Sequence, residues 1–222
     1  MSFAKHLGLP DLSGEGDDNK GILSAPFAWL MFMHSMILGD SDAGKTWVVL
    51  NILLHEASPF LPAYEKIVVI GSEPEDDWHR TAKRYAPDKF LLFKDLDKDI
   101  FVAMARRKNK KLWLVIVDDK LSEMSAFAKM IDLTNCRHDK ENDPCCHVWL
   151  LVQYYAKVPK LLRKQFKYSL ILRSFAADED LLKQMRLEGL FGFWSLKQVR
   201  ALAAAATGKA GMFVRKLCLS LM

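Results

Sequence analysis

The sequence predicts an α/β fold, a mostly parallel central sheet with helices on both faces, and three observations predict it. Short apolar runs alternate with amphipathic stretches along most of the chain. Several of those runs, such as Leu112 to Val117, are continuously apolar, as strands buried on both faces are. A glycine-bearing turn, Gly39 to Gly44, joins an apolar run to a helix-patterned stretch, as strand-to-helix connections in such folds do. At 222 residues and 50% hydrophobic content the chain can bury a full core, so one domain is expected over residues 22–222.

Taken in order, Met1 to Gly21 are rich in Gly, Asp and Ser with little periodicity and read as an irregular arm. Strands are predicted at Phe32 to Leu38, Lys66 to Gly71, Lys89 to Phe93, Lys111 to Asp118, His147 to Gln153 and Tyr168 to Arg173. Helices are predicted at Lys45 to Glu56, Asp76 to Tyr85, Asp97 to Lys108, Ser122 to Asn135, Lys160 to Lys167, Asp178 to Glu188 and Leu196 to Ala206. The polar stretch His138 to Pro144, Asp139 to Asp143 included, is expected to be an exposed loop. Ligands of such sheets bind at the carboxyl ends of the strands.

Composition narrows the class. The longest apolar stretch, Ala25 to Leu38, contains His34 and Ser35 and is shorter than the roughly 20 residues of a membrane span. No basic and hydrophobic leader opens the chain, so a soluble intracellular protein is expected. A net charge of +5 is compatible with nucleic acid without being diagnostic of it. The four cysteines form no C-x-x-C pair and read as reduced thiols. Cys136, His138, Cys145, Cys146 and His147 cluster in sequence, but their spacing matches no zinc signature and no metal is assigned to them.

Gly39-Asp40-Ser41-Asp42-Ala43-Gly44-Lys45-Thr46 fits G-x-x-x-x-G-K-[ST] between a predicted strand and a predicted helix. By composition alone the bare pattern should arise in on the order of one chain in a hundred of this length, and the context makes chance rarer still. The glycines let successive backbone N–H groups turn toward a phosphate chain at the positive end of a helix. Lys45 then reaches the β- and γ-phosphates and Thr46 ligates Mg2+. The expected cofactors are therefore ATP and Mg2+. Asp40 and Asp42 put carboxylates into an anion-attracting loop, which either weakens affinity or means that both side chains point outward.

Leu112 to Asp119 is an apolar strand ending in two acids, which makes it the expected Walker B motif. Asp118 is assigned to the metal and Asp119 to orienting or deprotonating the attacking water. Gln153 ends the next strand, where it can sense the γ-phosphate or position water, or simply cap the strand. Two strands between Walker A and Walker B, and a polar residue ending the strand after Walker B, indicate a P-loop NTPase of the additional-strand class.

The set Pro26-Phe27, Gly39 to Thr46, Val117-Asp118-Asp119, Asn135-Cys136-Arg137-His138, Gln153-Tyr154-Tyr155-Ala156-Lys157-Val158-Pro159 and Arg163 resembles the virion genome-packaging ATPases of the FtsK-HerA superfamily, of poxvirus, virophage and Polinton type. The resemblance runs from about Pro26 to Arg173. It implies ATP hydrolysis coupled to translocation of double-stranded DNA into a viral capsid, a homo-oligomeric ring of five or six subunits, and a capsid partner. It also implies a place in the host-cell interior where virus assembles, and in the virion. Arg137 inherits the part of a finger reaching a neighbouring subunit's ATP; an arginine ending a helix also suits the negative end of its dipole. The departures are Asp40 and Asp42, where small residues are usual, and the polar insertion Asp139 to Pro144; they bear on the efficiency of hydrolysis, not on the fold.

Lys160, Arg163, Lys164 and Lys167 follow i, i+3, i+4, i+7 spacing, so one helix face is expected to carry four cations, for DNA phosphates or for solvent. Two rival functions stay open: a nucleotide-binding structural or regulatory subunit with little hydrolysis, and a cellular DNA pump of the same superfamily.

Overall fold

The computed structural model describes residues 34–54, 61, 64–96, 112–118, 146–166, 168–172, 178–191, 195–206 and 211–215. The predicted helices Asp97 to Lys108 and Ser122 to Asn135, the arm of residues 1–21 and the loop Asp139 to Asp143 lie outside these residues. The described residues belong to two compact units. One draws on Met1–Lys45, Val152–Tyr155 and Phe166–Met222; the other on Thr46–Leu151 and Ala156–Gln165.

In the second unit, β2 (Lys66–Ile70), β3 (Phe90–Phe93), β4 (Trp113–Asp118) and β5 (Cys146–Val152) run in the order β3-β2-β4-β5, every pair parallel. The continuous apolar runs are buried as predicted: Ile67, Val68, Val69, Leu114, Val115 and Ile116 are all 0% exposed. At about 1.5–3 kcal/mol for each fully buried aliphatic side chain, these strands contribute heavily to the core, as β5 does with Val148, Leu150 and Leu151, also 0% exposed.

Helix α1 (Lys45–Leu54) buries Val49, Leu50 and Leu53, one helical stripe. Helix α2 (Asp77–Tyr85) begins at the N-cap Asp76, whose carboxylate accepts from the N–H groups of His79 and Glu73, each at 2.8 Å. Trp78 and Ala82, four residues apart, are its buried face, each 2% exposed. Helix α3 (Lys160–Gln165) is a turn and a half after Pro159.

In the first unit, β1 (Ser35–Leu38) pairs parallel with β6 (Tyr168–Leu172), and β6 pairs antiparallel with β7 (Gly211–Arg215). Helix α4 (Glu179–Leu187) is capped by Asp178, which accepts from Leu181 N–H at 3.0 Å. Helix α5 (Leu196–Ala206) opens on a capping box, Ser195 N–H donating to Gln198 Oε1 at 2.8 Å and Gln198 N–H to Ser195 Oγ at 3.3 Å. Strand β7 is an element that the sequence reading did not contain. The α/β class and the mostly parallel pairing are as predicted.

Candidate nucleotide site

Walker A divides between the units at the Lys45–Thr46 peptide bond. In the first unit, Gly39 opens the loop directly after β1 and donates its N–H to the carbonyl of Val152, the last residue of β5, at 3.1 Å. A side chain at Gly39 would be crowded: an added Cβ would stand 3.0 Å from Leu172 Cδ1, 3.1 Å from Ala43 Cβ and 3.2 Å from Leu172 Cβ, so its neighbours would have to give by a few tenths of an ångström. Gly44 has the opposite reason to be glycine. Nothing lies within 4 Å of its would-be Cβ, but its φ of +82° belongs to the left-handed region.

Asp42 also lies in that region, at φ 58°, a conformation that aspartate tolerates better than most residues. The carbonyl of Asp40 accepts from Ala43 N–H at 3.2 Å and from Lys45 Nζ at 2.9 Å, which folds the lysine back over the loop. Lys45 is only 5% exposed, while the side chains of Asp40, Ser41 and Asp42 are exposed. Exposure of both acids is what the outward-pointing expectation for the loop requires. Gln153 follows Val152 and is half-buried beside the start of the loop.

In the second unit, Thr46 Oγ1 donates to Asp118 Oδ2 at 2.8 Å, across 72 positions of sequence. Asp118 is the last residue of β4, in register with Leu151 of β5. A hydroxyl that gives its hydrogen to a carboxylate keeps its lone pairs, so the pair offers oxygen donors of two kinds, the set that a hard divalent cation such as Mg2+ takes. The residues fit the metal expected of them.

A third side chain joins this pair: Trp78 Nε1 donates to the same Oδ2 at 2.8 Å. The sequence reading did not include Trp78. The available signal was a tryptophan early in the helix after a buried strand, since a buried indole N–H needs an acceptor.

Beside Trp78, Ser72 Oγ donates to Asp76 Oδ2 at 3.0 Å and lies 3.0 Å from His79 Nδ1. Partial desolvation works to raise the pKa of Asp76. The hydrogen bonds from His79 and Glu73 N–H and from the Ser72 and His79 side chains outweigh it and hold the carboxyl below its usual range.

Asp119, Arg137 and Lys167 lie outside the described residues, as do Cys136, His138 and Cys145. Cys146 is buried at the start of β5, and His147 Nδ1 is 3.1 Å from Tyr64 Oη. Burial, followed by the nearby Cys146, pushes the Tyr64 phenol well above its ordinary range, so it stays protonated. Among the described residues no group of three or more His, Cys, Asp or Glu side chains is placed to hold a metal ion, and no helix is long and apolar enough to cross a membrane.

The four-cation face is corrected at one position. Arg163 is 7% exposed, because the inward face of α3 centres on Leu162 and Arg163; Lys160 and Lys164 are exposed.

In the first unit a glycine-bearing loop follows β1, and in the second the threonine near the start of α1 is bound to the acid that ends β4; these are the local features of a P-loop fold. The parallel partner of β4 is β5, whose last carbonyl meets the first residue of the loop, the place of the extra strand in the additional-strand class. Solved structures agree on this fold. The genome packaging NTPase B204 from Sulfolobus turreted icosahedral virus 2, in complex with sulfate, is similar at TM-score 0.51 and 12% identity, over 77% of this chain and 86% of its own. The same NTPase in complex with AMPPCP gives TM-score 0.50 at 12% identity, over 83% and 98%. The crystal structure of B204, the DNA-packaging ATPase from Sulfolobus turreted icosahedral virus, gives TM-score 0.50 at 12% identity, also over 83% and 98%. At such identity the likeness is one of fold. No protein-family model matches the sequence, and no curated protein matches it.

Proposed function

We propose that the chain hydrolyses ATP and couples hydrolysis to the movement of double-stranded DNA into a viral capsid, as one subunit of a ring. The observation that carries the ATPase part is the Thr46–Asp118 hydrogen bond at 2.8 Å, which unites the ends of the two motifs that ATP chemistry requires. The packaging part rests on the sequence resemblance, supported by a fold shared with structures described as genome-packaging NTPases.

The loop Gly39 to Thr46 binds the phosphates through its backbone N–H groups, and Lys45 neutralises the β- and γ-phosphates. Thr46 and Asp118 hold Mg2+. When bound, the cation offsets the charge that develops on the transferred phosphoryl group. Asp119 orients the attacking water and takes its proton, and Gln153 positions that water or registers the γ-phosphate. Arg137 acts on the ATP of the neighbouring subunit. Lys160 and Lys164 grip DNA phosphates without regard to sequence, with Lys167 as a further contact on the same segment. Arg163, buried, is withdrawn from that role.

The test is phosphate release from ATP with and without double-stranded DNA, for the wild type, Lys45→Ala and Asp119→Asn. DNA-stimulated turnover that both substitutions abolish is expected. Tight ATP binding with no turnover, even with DNA present, would refute the motor and leave the regulatory subunit.

A further inference from the structure

The indole of Trp78 is 2% exposed and its N–H ends on Asp118 Oδ2 at 2.8 Å, the oxygen that also receives the Thr46 hydroxyl at 2.8 Å. We propose that Trp78 is a positioning residue for the cation site: it sets the plane of the Asp118 carboxylate that would take Mg2+. The proposal rests on the reading of Thr46 and Asp118 as the metal-holding pair.

The two donors differ in kind. The hydroxyl hydrogen of Thr46 rotates freely about its C–O bond, and Thr46 closes a loop that must take up a ligand. The indole hydrogen has no rotor of its own. It is fixed in the ring plane, and the ring is fixed by a helix start that cannot easily roll, since Asp76 binds the N–H groups of His79 and Glu73, each at 2.8 Å, while Ala82 is buried one turn on. A hydrogen bond to an ionised carboxylate is about twice as strong as a neutral one, enough to select one orientation of the acid. Of the two, Trp78 is thus the stiff reference for the acid. Partners of this outer kind ordinarily change metal affinity 10–100-fold when removed.

The experiment titrates Mn2+ into wild type, Trp78→Phe, Trp78→His and Asp118→Asn by electron paramagnetic resonance, each with a non-hydrolysable ATP analogue. Phenylalanine keeps most of the packing and loses the donor; histidine keeps a ring N–H and packs less well. Positioning predicts Mn2+ affinity about 10-fold weaker in Trp78→Phe, with Trp78→His nearer to wild type. Wild-type affinity in Trp78→Phe, or a poorer result for histidine than for phenylalanine, overturns the proposal and leaves Trp78 a packing residue. Failure of the wild type to hold Mn2+ any better than Asp118→Asn overturns the metal reading itself, and the proposal with it. A second measurement needs no Trp78 variant: in the wild type the indole N–H stays protected from solvent exchange when Mg2+ and the analogue are added. Loss of that protection would mean that Trp78 releases the acid in the loaded site, which also overturns the proposal.

Discussion

Gly39 and Gly44 should fail for opposite reasons when replaced by alanine, and the contrast tests the geometry of the loop. At Gly39 the new methyl carbon meets three atoms at 3.0–3.2 Å. Leu172 is only 2% exposed, so its Cδ1 has little room to swing away, and its Cβ and that of Ala43 are fixed by backbone. Gly39→Ala is therefore an overpacking change, expected to cost about 1–3 kcal/mol. At Gly44 nothing lies within 4 Å, so Gly44→Ala carries only the left-handed penalty, about 1 kcal/mol after the lost flexibility of the unfolded chain is credited. Urea unfolding measures both. The discriminating arm is a double-mutant cycle with Leu172→Ala, which removes Cδ1, the tightest of the three contacts, and leaves the two Cβ contacts. Gly39→Ala should cost about 1 kcal/mol less in that background, whereas Gly44→Ala should be additive with it. Equal costs of Gly39→Ala in both backgrounds would refute the steric account and with it the packing of the loop's first residue against β6.

Two further expectations follow from the same structure. Asp76→Ala removes the cap of α2 and should destabilise by about 1 kcal/mol in urea unfolding. Because the folded carboxyl of Asp76 is held below its unfolded value, its contribution is complete above about pH 4 and declines as pH falls through the depressed pKa; an acid-unfolding profile identical in wild type and Asp76→Ala would contradict this. Replacing Lys160 and Lys164 together by Gln should weaken double-stranded DNA binding and flatten the slope of log affinity against log salt by about 2; an unchanged slope places the DNA grip elsewhere.

Much of the fold was legible because the β2 and β4 strands are apolar at every position that the sheet buries, so pattern and burial coincide from Ile67 to Ile70 and from Leu114 to Val117. Helix starts were legible where a side chain makes the cap, as at Asp76 and Asp178. Strand β7 was not legible. Gly211–Arg215 carries three apolar residues after a run of alanines, and its strand form depends on pairing with β6, a long-range fact. The burial of Arg163 escaped for a related reason: spacing along a helix says which residues share a face, not which way a turn and a half will point. At the site, Thr46 and Asp118 were assigned from motifs; the structure joins them by a hydrogen bond across 72 positions of sequence. Trp78 has no motif, because its part depends on a rigid helix start aiming one N–H at a residue 40 positions away.

The acids of the loop bear on how well the site can turn over. Asp40 and Asp42 are exposed, and Asp40 uses its backbone carbonyl, not its carboxylate, to hold Lys45; with both carboxylates in solvent, their effect on a bound nucleotide is charge repulsion. Two unit charges about 8 Å apart in water repel by about 0.5 kcal/mol, and physiological salt reduces this by roughly a factor of three. For two carboxylates against a magnesium-bound triphosphate of net charge about −2, the sum is about 0.7 kcal/mol, or roughly threefold in affinity. Asp40→Asn with Asp42→Asn should thus tighten ATP binding about threefold at physiological salt, more at low salt, and hardly at all at 1 M. A gain of a hundredfold or more, insensitive to salt, would mean that one of these carboxylates turns inward onto the nucleotide, and would refute the through-solvent account.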